Sequence, residues 1–168
     1  MIVEKFVELE GVKQNMKERY LTKSAVFLLI QRPDGKFLFQ RRQNTGYQDG
    51  MLDLGASGHV EAGETAKEAA KRELMEETGL NIELKRLEFK SINHRNTDGQ
   101  VYYDFYFLVQ VNDQESTQVQ IMEPHKNSQM LWLAKEDFTD QIIDYNRVVI
   151  DNLDQGIYYQ EIGWEHNI

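Results

Sequence analysis

The sequence has no cysteine among its 168 residues, and it has only two prolines, Pro33 and Pro124. Without thiols the chain can form no disulfide, no thiolate nucleophile and no cysteine-based zinc site. No apolar run approaches the roughly 18 residues that a membrane span needs. The opening residues, MIVEKFVELE, mix acidic with apolar side chains, unlike a secretory signal. These absences predict a cytoplasmic protein that makes no membrane contact.

Basic residues are also scarce, because 19 Lys and Arg face 28 Asp and Glu, for a net charge of -9. This deficit argues against a partner that is a nucleic acid polymer, since such binders neutralise phosphates with Lys and Arg. A small phosphorylated substrate stays compatible, because a bound divalent cation can reverse the local field. The length and the 40% apolar content predict one globular domain over residues 1–168.

Strand-forming runs surround one central helical segment. SAVFLLI (24–30) and KFLFQRR (36–42) flank the turn-forming RPDG, which predicts a β-hairpin. The glycine-rich stretch 44–58 is typical of a loop. Three more strands are predicted at 81–92, 101–111 and 129–134, and apolar spacing predicts a last helix over 141–153. The pattern predicts an α/β or α+β sandwich with a mixed sheet.

The central helix has a start and a stop signal. Thr65 and Glu68 fit a capping box, and Gly79 stands where a helix-ending glycine belongs. We therefore expect a helix over residues 66–78.

Three carboxylates of this helix, Glu73, Glu76 and Glu77, fall beside its alanines on the edge that we expect to face the protein. Like charges at this spacing repel each other, and burying them unpaired costs far more. Raised pKa values or bound cations would relieve that cost. Clustered carboxylate oxygens suit Mg²⁺ or Mn²⁺. The pattern alone leaves both a metal site and a solvated run of charges open.

The spacing around these residues resembles the Nudix box. Five residues separate Gly58 from Glu64, and seven more separate Glu64 from Arg72. The unbroken run RELMEETGL then extends from Arg72 to Leu80. Every fixed position of the box, from Gly58 to Leu80, is filled. The resemblance implies a MutT-like Nudix hydrolase with the Nudix fold, an α/β/α sandwich with a mixed β-sheet. It also implies cleavage of a nucleoside diphosphate linked to another group, by water attack with Mg²⁺ or Mn²⁺.

The resemblance also implies roles for individual residues. Glu73, Glu76 and Glu77 would bind the metal, and the carbonyl of Gly58 would add a ligand. Arg72 would orient the acidic cluster, with Glu64 in support.

The general base varies within the family. We favour Glu76 or Glu73, with Glu123 as the candidate outside the box, although Glu123 also fits an ordinary loop acid.

Substrate contacts are predicted at two further positions. An arginine at the end of the second hairpin strand contacts phosphate in related enzymes, and of Arg41 and Arg42 we prefer Arg42. His59 is placed to reach a phosphate oxygen. Aromatic and acidic residues of the later strands are candidates for a base pocket, and they are Tyr102, Tyr103, Asp104, Phe105 and Trp132.

The substrate class follows only by elimination. The signatures typical of ADP-ribose, diadenosine polyphosphate and NADH hydrolases are missing after the box, which favours a nucleoside triphosphate pyrophosphohydrolase. Hydrolysis of ADP-ribose, a nucleotide sugar or another diphosphate compound stays open, as does a non-catalytic nucleotide-binding role.

Two other features of the sequence concern the isomerase alternative and the role of the C-terminal segment. The entry GASGH resembles that of isopentenyl-diphosphate isomerases, but their catalytic cysteine is missing here. The aromatic segment GIYYQEIGW (156–164) would cap the core, close over substrate or form a homodimer contact.

Overall fold

The structure, a computed structural model, describes residues 19–165, so the MIVEKFVELE segment lies outside it. The strands are β1 (Lys23–Gln31), β2 (Phe37–Arg42), β3 (Leu52–Leu54), β4 (Ala56–His59), β5 (Glu88–Thr97), β6 (Gln100–Gln110), β7 (Asn127–Leu133) and β8 (Tyr159–Ile162). The α-helices are α1 (Ala66–Thr78), α2 (Asp113–Gln118) and α3 (Asp144–Asn152). No helix within residues 19–165 is long and apolar enough to cross a bilayer.

The predicted hairpin is confirmed, but its two strands separate soon after the turn. The turn closes with a hydrogen bond from the Gly35 amide to the Arg32 carbonyl at 2.9 Å. Gln31 opposite Phe37 is the position at which β1 and β2 pair. Farther from the turn, β1 pairs with β4 over residues 25–28, whereas β2 pairs with β3 over residues 39–41. β6 pairs along the whole of β1, and β7 pairs along the whole of β2. The separation leaves room for β4 to reach α1.

The strands form one mixed sheet in the order β3-β2-β1-β6-β5-β8, with β4 added to β1 and β7 added to β2. The pairings of β1 with β6 and of β5 with β8 are parallel. The pairing of β5 with β6 and the pairings made by β2 are antiparallel. The prediction of a mixed sheet is therefore confirmed.

Alternating side chains of β1 supply two separate cores, one on each face of the sheet. On one face, Val26 and Leu28 pack with α1 through its buried Ala69, Ala70 and Leu74. On the other face, Phe27 and Leu29 pack with α3 through its buried Tyr145, Val149 and Ile150. Helices on opposite faces of a sheet make an α/β/α sandwich, as predicted.

Several local predictions were wrong. The glycine-rich stretch 44–58, predicted as a loop, contains β3 and β4, because these short strands are held by β2 and β1 rather than by a pattern of their own. The strand predicted from residue 81 begins only at Glu88, after a 3₁₀ turn over Leu84–Arg86. We also did not predict α2, although Asn112 and Glu115 form a capping box at its start.

The aromatic C-terminal segment contributes β8 to the edge of the sheet. This strand pairs in parallel with β5, and the Trp164 indole donates to the His94 carbonyl at 2.8 Å. Ile162 packs against the core beside α3, whereas Tyr158 and Tyr159 are exposed, so the choice among the three predicted roles stays open.

A chain of buried hydrogen bonds ties the sheet to α3. The Tyr106 hydroxyl donates to Asn146 Oδ1 at 2.8 Å and accepts from Asn93 Nδ2 at 3.0 Å. Asn146 Nδ2 in turn donates to Asp53 Oδ1 at 2.8 Å. Tyr106, Asn93 and Asn146 are each 0% exposed, so water cannot replace a lost partner. These bonds fix β3 relative to β6.

Replacement of Tyr106 by Phe should destabilise the fold, because it leaves the amides of Asn93 and Asn146 each short of a buried partner. We expect the free energy of unfolding to fall by about 1 to 3 kcal/mol. Urea denaturation measures this change. Tyr159→Phe is the matched control, because its hydroxyl bonds Glu161 at the exposed edge of β8. Equal stability of the two variants would contradict the structural role given to the buried hydroxyl.

Candidate functional site

The capped helix α1 fixes where its carboxylates lie. The Thr65 side chain accepts from the Glu68 amide, the Glu68 side chain accepts from the Thr65 amide, and the pair forms the predicted capping box. At the other end Gly79 has φ 77°, a left-handed conformation that suits glycine. The helix therefore runs over Ala66–Thr78, as predicted from the sequence, and its register against the sheet is set at both ends.

Close approach of β4 to α1 requires a glycine at position 58. A Cβ atom at Gly58 would lie 2.0 Å from Oε1 of Glu73, well inside van der Waals contact. One residue earlier on β4, the Ser57 amide donates to Oε2 of Glu77 at 2.8 Å. The backbone of β4 therefore lies directly against two of the three predicted metal ligands.

Glu77 is a buried carboxylate, 7% exposed. Its Oε2 accepts from the Ser57 amide and from Gln40 Nε2, the latter at 3.0 Å. Burial raises the pKa of Glu77 to about 8, the two hydrogen bonds oppose the rise, and the charges of Asp53 and Glu73 add to it. The site therefore holds a carboxylate whose negative charge is poorly compensated.

Arg72 lies among three carboxylates of the box. Its guanidinium donates to Glu64 Oε1 at 2.7 Å, to Glu73 Oε1 at 2.7 Å and to Glu76 Oε2 at 3.2 Å. It also donates to the His59 carbonyl at 3.0 Å, which joins α1 to the end of β4. Burial nevertheless raises the pKa of Glu73, although Arg72 acts in the opposite direction.

Glu76 departs from the sequence prediction. Its side chain is 54% exposed, whereas we expected all three carboxylates to face the protein. Helical winding gives the direction of a side chain but not how far the neighbouring layer extends. Here β4 covers the positions of Glu73 and Glu77 and leaves Glu76 open to solvent.

The three carboxylates are not arranged as a ready-made metal centre. Across residues 19–165, no group of three acidic or histidine side chains converges as metal ligands. Arg72 lies against Glu73 and Glu76, and Glu77 is turned toward Gln40 and Ser57.

The donor atoms nevertheless fit a divalent cation of the Mg²⁺ or Mn²⁺ type. They are hard carboxylate oxygens. Burial raises the pKa of Glu77, which is buried, and of Glu73, which is partly buried, and a cation would compensate their charge. The glycine at position 58 leaves open the space that a side chain would fill beside Glu73. Glu73, Glu76 and Glu77 would hold the ion, and the part of the Gly58 carbonyl stays a prediction.

Glu123, the candidate base outside the box, lies within electrostatic range of the cluster. Its charge contributes to the raised pKa of Glu73. The adjacent Met122 amide donates to the Glu77 carbonyl at 3.3 Å, which holds this loop at the end of α1. Glu123 itself pairs with Lys126 at 2.8 Å. The structure brings Glu123 near the carboxylates, and its role as a base stays a prediction.

Arg42 and His59 are the predicted substrate contacts. Arg42 donates to Asp53 Oδ2 at 2.8 Å and to the Tyr47 carbonyl at 2.9 Å, so it anchors the loop that precedes β3. Arg41 donates to the Gly50 carbonyl at 2.8 Å and braces the same loop. The ring of His59 lies 6.1 Å from that of Tyr102. Contact of Arg42 or His59 with a phosphate stays a prediction.

The residues suggested for a base pocket do not come together. Tyr102 stacks over Arg95 and Asp104 pairs with Arg95, whereas Tyr103 stacks on His94. Phe105 packs in the core beside α1, and Trp132 lies under Arg32 at the hairpin turn. Side chains alternate along β6, so its candidate residues lie on opposite faces of the sheet. The prediction that these residues together line one pocket was therefore wrong.

Gln40 and Ser57 are site residues that sequence reasoning missed. Ser57 acts through its backbone amide, which no side-chain motif reveals. Gln40 did leave a signal, because it is a polar residue that directly follows three core residues, Phe37–Phe39, within one strand. A polar side chain at such a position needs a buried partner, and Glu77 is that partner.

Solved structures with the same architecture support the assignment of the fold. The MutT protein from Methanosarcina mazei Go1 superposes with a TM-score of 0.69 at 22% identity, over 83% of this chain and 97% of that one. The C. elegans Ap4A hydrolase superposes with a TM-score of 0.62 at 22% identity, over 80% of this chain and 96% of that one. At these identities the likeness shows a common fold.

Sequence comparison gives the family. An uncharacterized Nudix hydrolase of Yersinia pestis and the uncharacterized Nudix hydrolase YfcD of Escherichia coli (strain K12) are each 36% identical over 72 residues, 42% of this chain. The match spans about two fifths of those relatives' own length, 40% in both. The family model of the NUDIX domain matches residues 21–153, most of the chain. With the intact box on α1 and β4, this match shows that the chain belongs to the Nudix hydrolase family.

Proposed function

We propose that this protein is a metal-dependent pyrophosphohydrolase that uses Mg²⁺ or Mn²⁺ to cleave a nucleoside diphosphate-linked substrate. The preferred substrate is a nucleoside triphosphate, which would be cleaved to the monophosphate and pyrophosphate. The observation that carries the proposal is a pair of carboxylates with raised pKa values, buried Glu77 and partly buried Glu73, that lie against the backbone of β4 at Ser57 and Gly58.

The residues of the site divide the work. When bound, the divalent cation would neutralise phosphate charge and acidify a coordinated water. Glu77, which is buried, and Glu73, which is partly buried, would hold it together with Glu76. Glu76 is the most exposed of the three, so it is the box carboxylate most accessible to the attacking water and would take its proton. Arg72 would orient Glu73 and Glu76 and, through Glu64, brace the loop before α1.

The substrate class rests on the sequence rather than on the likeness to other structures. Structures similar to this one carry such different descriptions as MutT protein, Ap4A hydrolase and ADP ribose pyrophosphatase. The signatures of the ADP-ribose and dinucleotide classes are missing after the box, which favours a triphosphate. We also propose that residues 1–168 act as a single domain, as a monomer or homodimer, in the cytoplasm.

A substrate panel with a matched pair of variants tests the proposal. Release of phosphate and pyrophosphate should be measured for nucleoside triphosphates, modified triphosphates, ADP-ribose, dinucleotides and nucleotide sugars, with Mg²⁺, Mn²⁺ or EDTA. We expect Glu77→Gln to lower kcat by a few orders of magnitude while the protein stays folded. Glu88→Gln changes an exposed carboxylate on β5 and should leave turnover unaltered.

Three results of this panel would be decisive. Metal-dependent turnover of one class, lost in Glu77→Gln, would identify the substrate. Wild-type turnover in that variant would refute the role of Glu77. Silence of the wild-type protein across the whole panel would favour the non-catalytic nucleotide-binding alternative.

The buried carboxylate predicts how stability depends on pH in EDTA. The pKa of Glu77 is about 8 in the folded protein against an ordinary 4.5, so between these values the folded state holds a proton that the unfolded chain has lost. This contribution to stability is present at low pH and disappears as the pH rises through about 8. We expect Tm to fall by several degrees between about pH 6 and about pH 9.

Two comparisons isolate the effect. The fall in Tm should be much smaller in Glu77→Gln, which has no carboxylate to ionise at this position. It should also be reversed in the wild-type protein by Mg²⁺, since a cation favours the charged form. An identical fall in both proteins would assign the pH dependence to other groups.

Replacement of Arg72 by Ala should reduce both activity and stability. We expect a loss of about 1 kcal/mol in unfolding free energy and a fall of about tenfold or more in kcat/KM, because Glu73 and Glu76 lose their common partner. Arg86→Ala is the control, since Arg86 pairs with Glu115, bonds no residue of the box within residues 19–165 and should affect stability alone. Full activity in Arg72→Ala would remove the orienting role.

A further inference from the structure

Gln40 is a buried glutamine whose side-chain oxygen accepts no hydrogen bond from the described residues. The residue is 1% exposed on β2, at the side of Glu77. Its Nε2 donates to Glu77 Oε2 at 3.0 Å, while its Oε1 has no hydrogen-bond partner among the described residues. A buried acceptor without a partner costs about 1 to 3 kcal/mol. This destabilising, unpartnered oxygen therefore lies next to Glu77, one of the predicted metal ligands.

The orientation of the amide is fixed by what it faces. When Glu77 is ionised, as it must be to hold a cation, a reversed amide would place Oε1 against the carboxylate, and two acceptor oxygens would oppose each other. The unpartnered Oε1 is therefore a consequence of holding Glu77 and cannot be removed by a flip. Both hydrogen bonds to Glu77 fall on its Oε2, so its Oε1 takes part in neither.

We propose that Gln40 is a positioning residue of the metal site. Its amide nitrogen, with the Ser57 amide, holds Oε2 of Glu77 so that Oε1 is directed to the cation. Its unpartnered oxygen accepts a hydrogen bond from a water molecule that the cation carries. Mg²⁺ keeps several of its waters in protein sites, and their protons need acceptors of this kind. The inference rests on the proposed function, since it presupposes a cation at Glu73 and Glu77.

Two measurements test this role. Electron paramagnetic resonance of free Mn²⁺ gives the affinity of the protein for the ion, and the relaxation of water protons reports on the waters of the bound ion. Gln40→Met keeps the length and volume of the side chain but removes both polar atoms. We expect its dissociation constant for Mn²⁺ to rise by about tenfold or more, the usual effect of losing such a partner. The water-proton relaxation per bound ion should also change.

Gln160→Met is the matched control. Gln160 is another buried glutamine, 8% exposed, but it lies on β8 and bonds Ser91 Oγ at 2.9 Å. Its replacement should cost stability and leave the affinity for Mn²⁺ unchanged. A folded Gln40→Met protein that binds Mn²⁺ within about twofold of the wild type would overturn the inference.

A measurement on the wild-type protein covers the case in which Gln40→Met does not fold. The side-chain amide signals of Gln40 and Gln160 can be assigned by NMR through bonds and followed during titration with Mg²⁺. The signal of Gln40 should shift and that of Gln160 should not. An unmoved Gln40 signal at saturation would refute the role while leaving the hydrolase proposal intact. A wild-type protein that binds neither ion would refute both.

Discussion

The site depends on a carboxylate that the fold has taken out of water. Glu77 is covered by β4 and β2, and it receives two hydrogen bonds, from the Ser57 amide and from Gln40. Removing a charge from water is costly, and two bonds do not restore what hydration supplied. Because the charge of Glu77 is poorly stabilised, this end of α1 favours the binding of a cation. Gly58, which admits Glu73 beside it, belongs to the same arrangement.

The helix and its carboxylates could be predicted from the sequence because their information is local. Thr65 and Gly79 set the helix ends, and winding placed Glu73 and Glu77 beside the alanines that face the sheet. The partners of Glu77 could not be predicted in the same way. Gln40 and Ser57 lie 37 and 20 residues away on strands whose positions depend on pairing across the whole sheet. The exposure of Glu76 depends on how far β4 extends, and the helical period does not contain that information.

The two faces of the sheet have different roles: one carries the candidate site, and the other carries buried hydrogen bonds that support it. On the face of α1, small residues let the helix and β4 approach closely enough to bury Glu77 and partly cover Glu73. On the face of α3, the bonds from Tyr106 through Asn146 to Asp53 tie β3 to the core. Asp53 also receives Arg42, which anchors the loop between β2 and β3. The Ser57 hydroxyl also donates to Asp53 at 3.3 Å, so these polar residues connect the α3 core to β4 beside the box.

The parallel pairing of β1 with β6 has a consequence for how the chain reaches this state. Lys23 lies opposite Tyr102, a separation of 79 residues, and the pairing continues to Gln31 opposite Gln110. Bringing such distant segments together costs chain entropy before any contact is gained, and proteins dominated by such pairings fold slowly. On the ribosome, the first strand and the acidic helix emerge well before the strand that completes the centre of the sheet. Until β6 is made, one edge of the apolar β1 strand lacks its partner, and this is the interval in which the nascent chain is most exposed to aggregation.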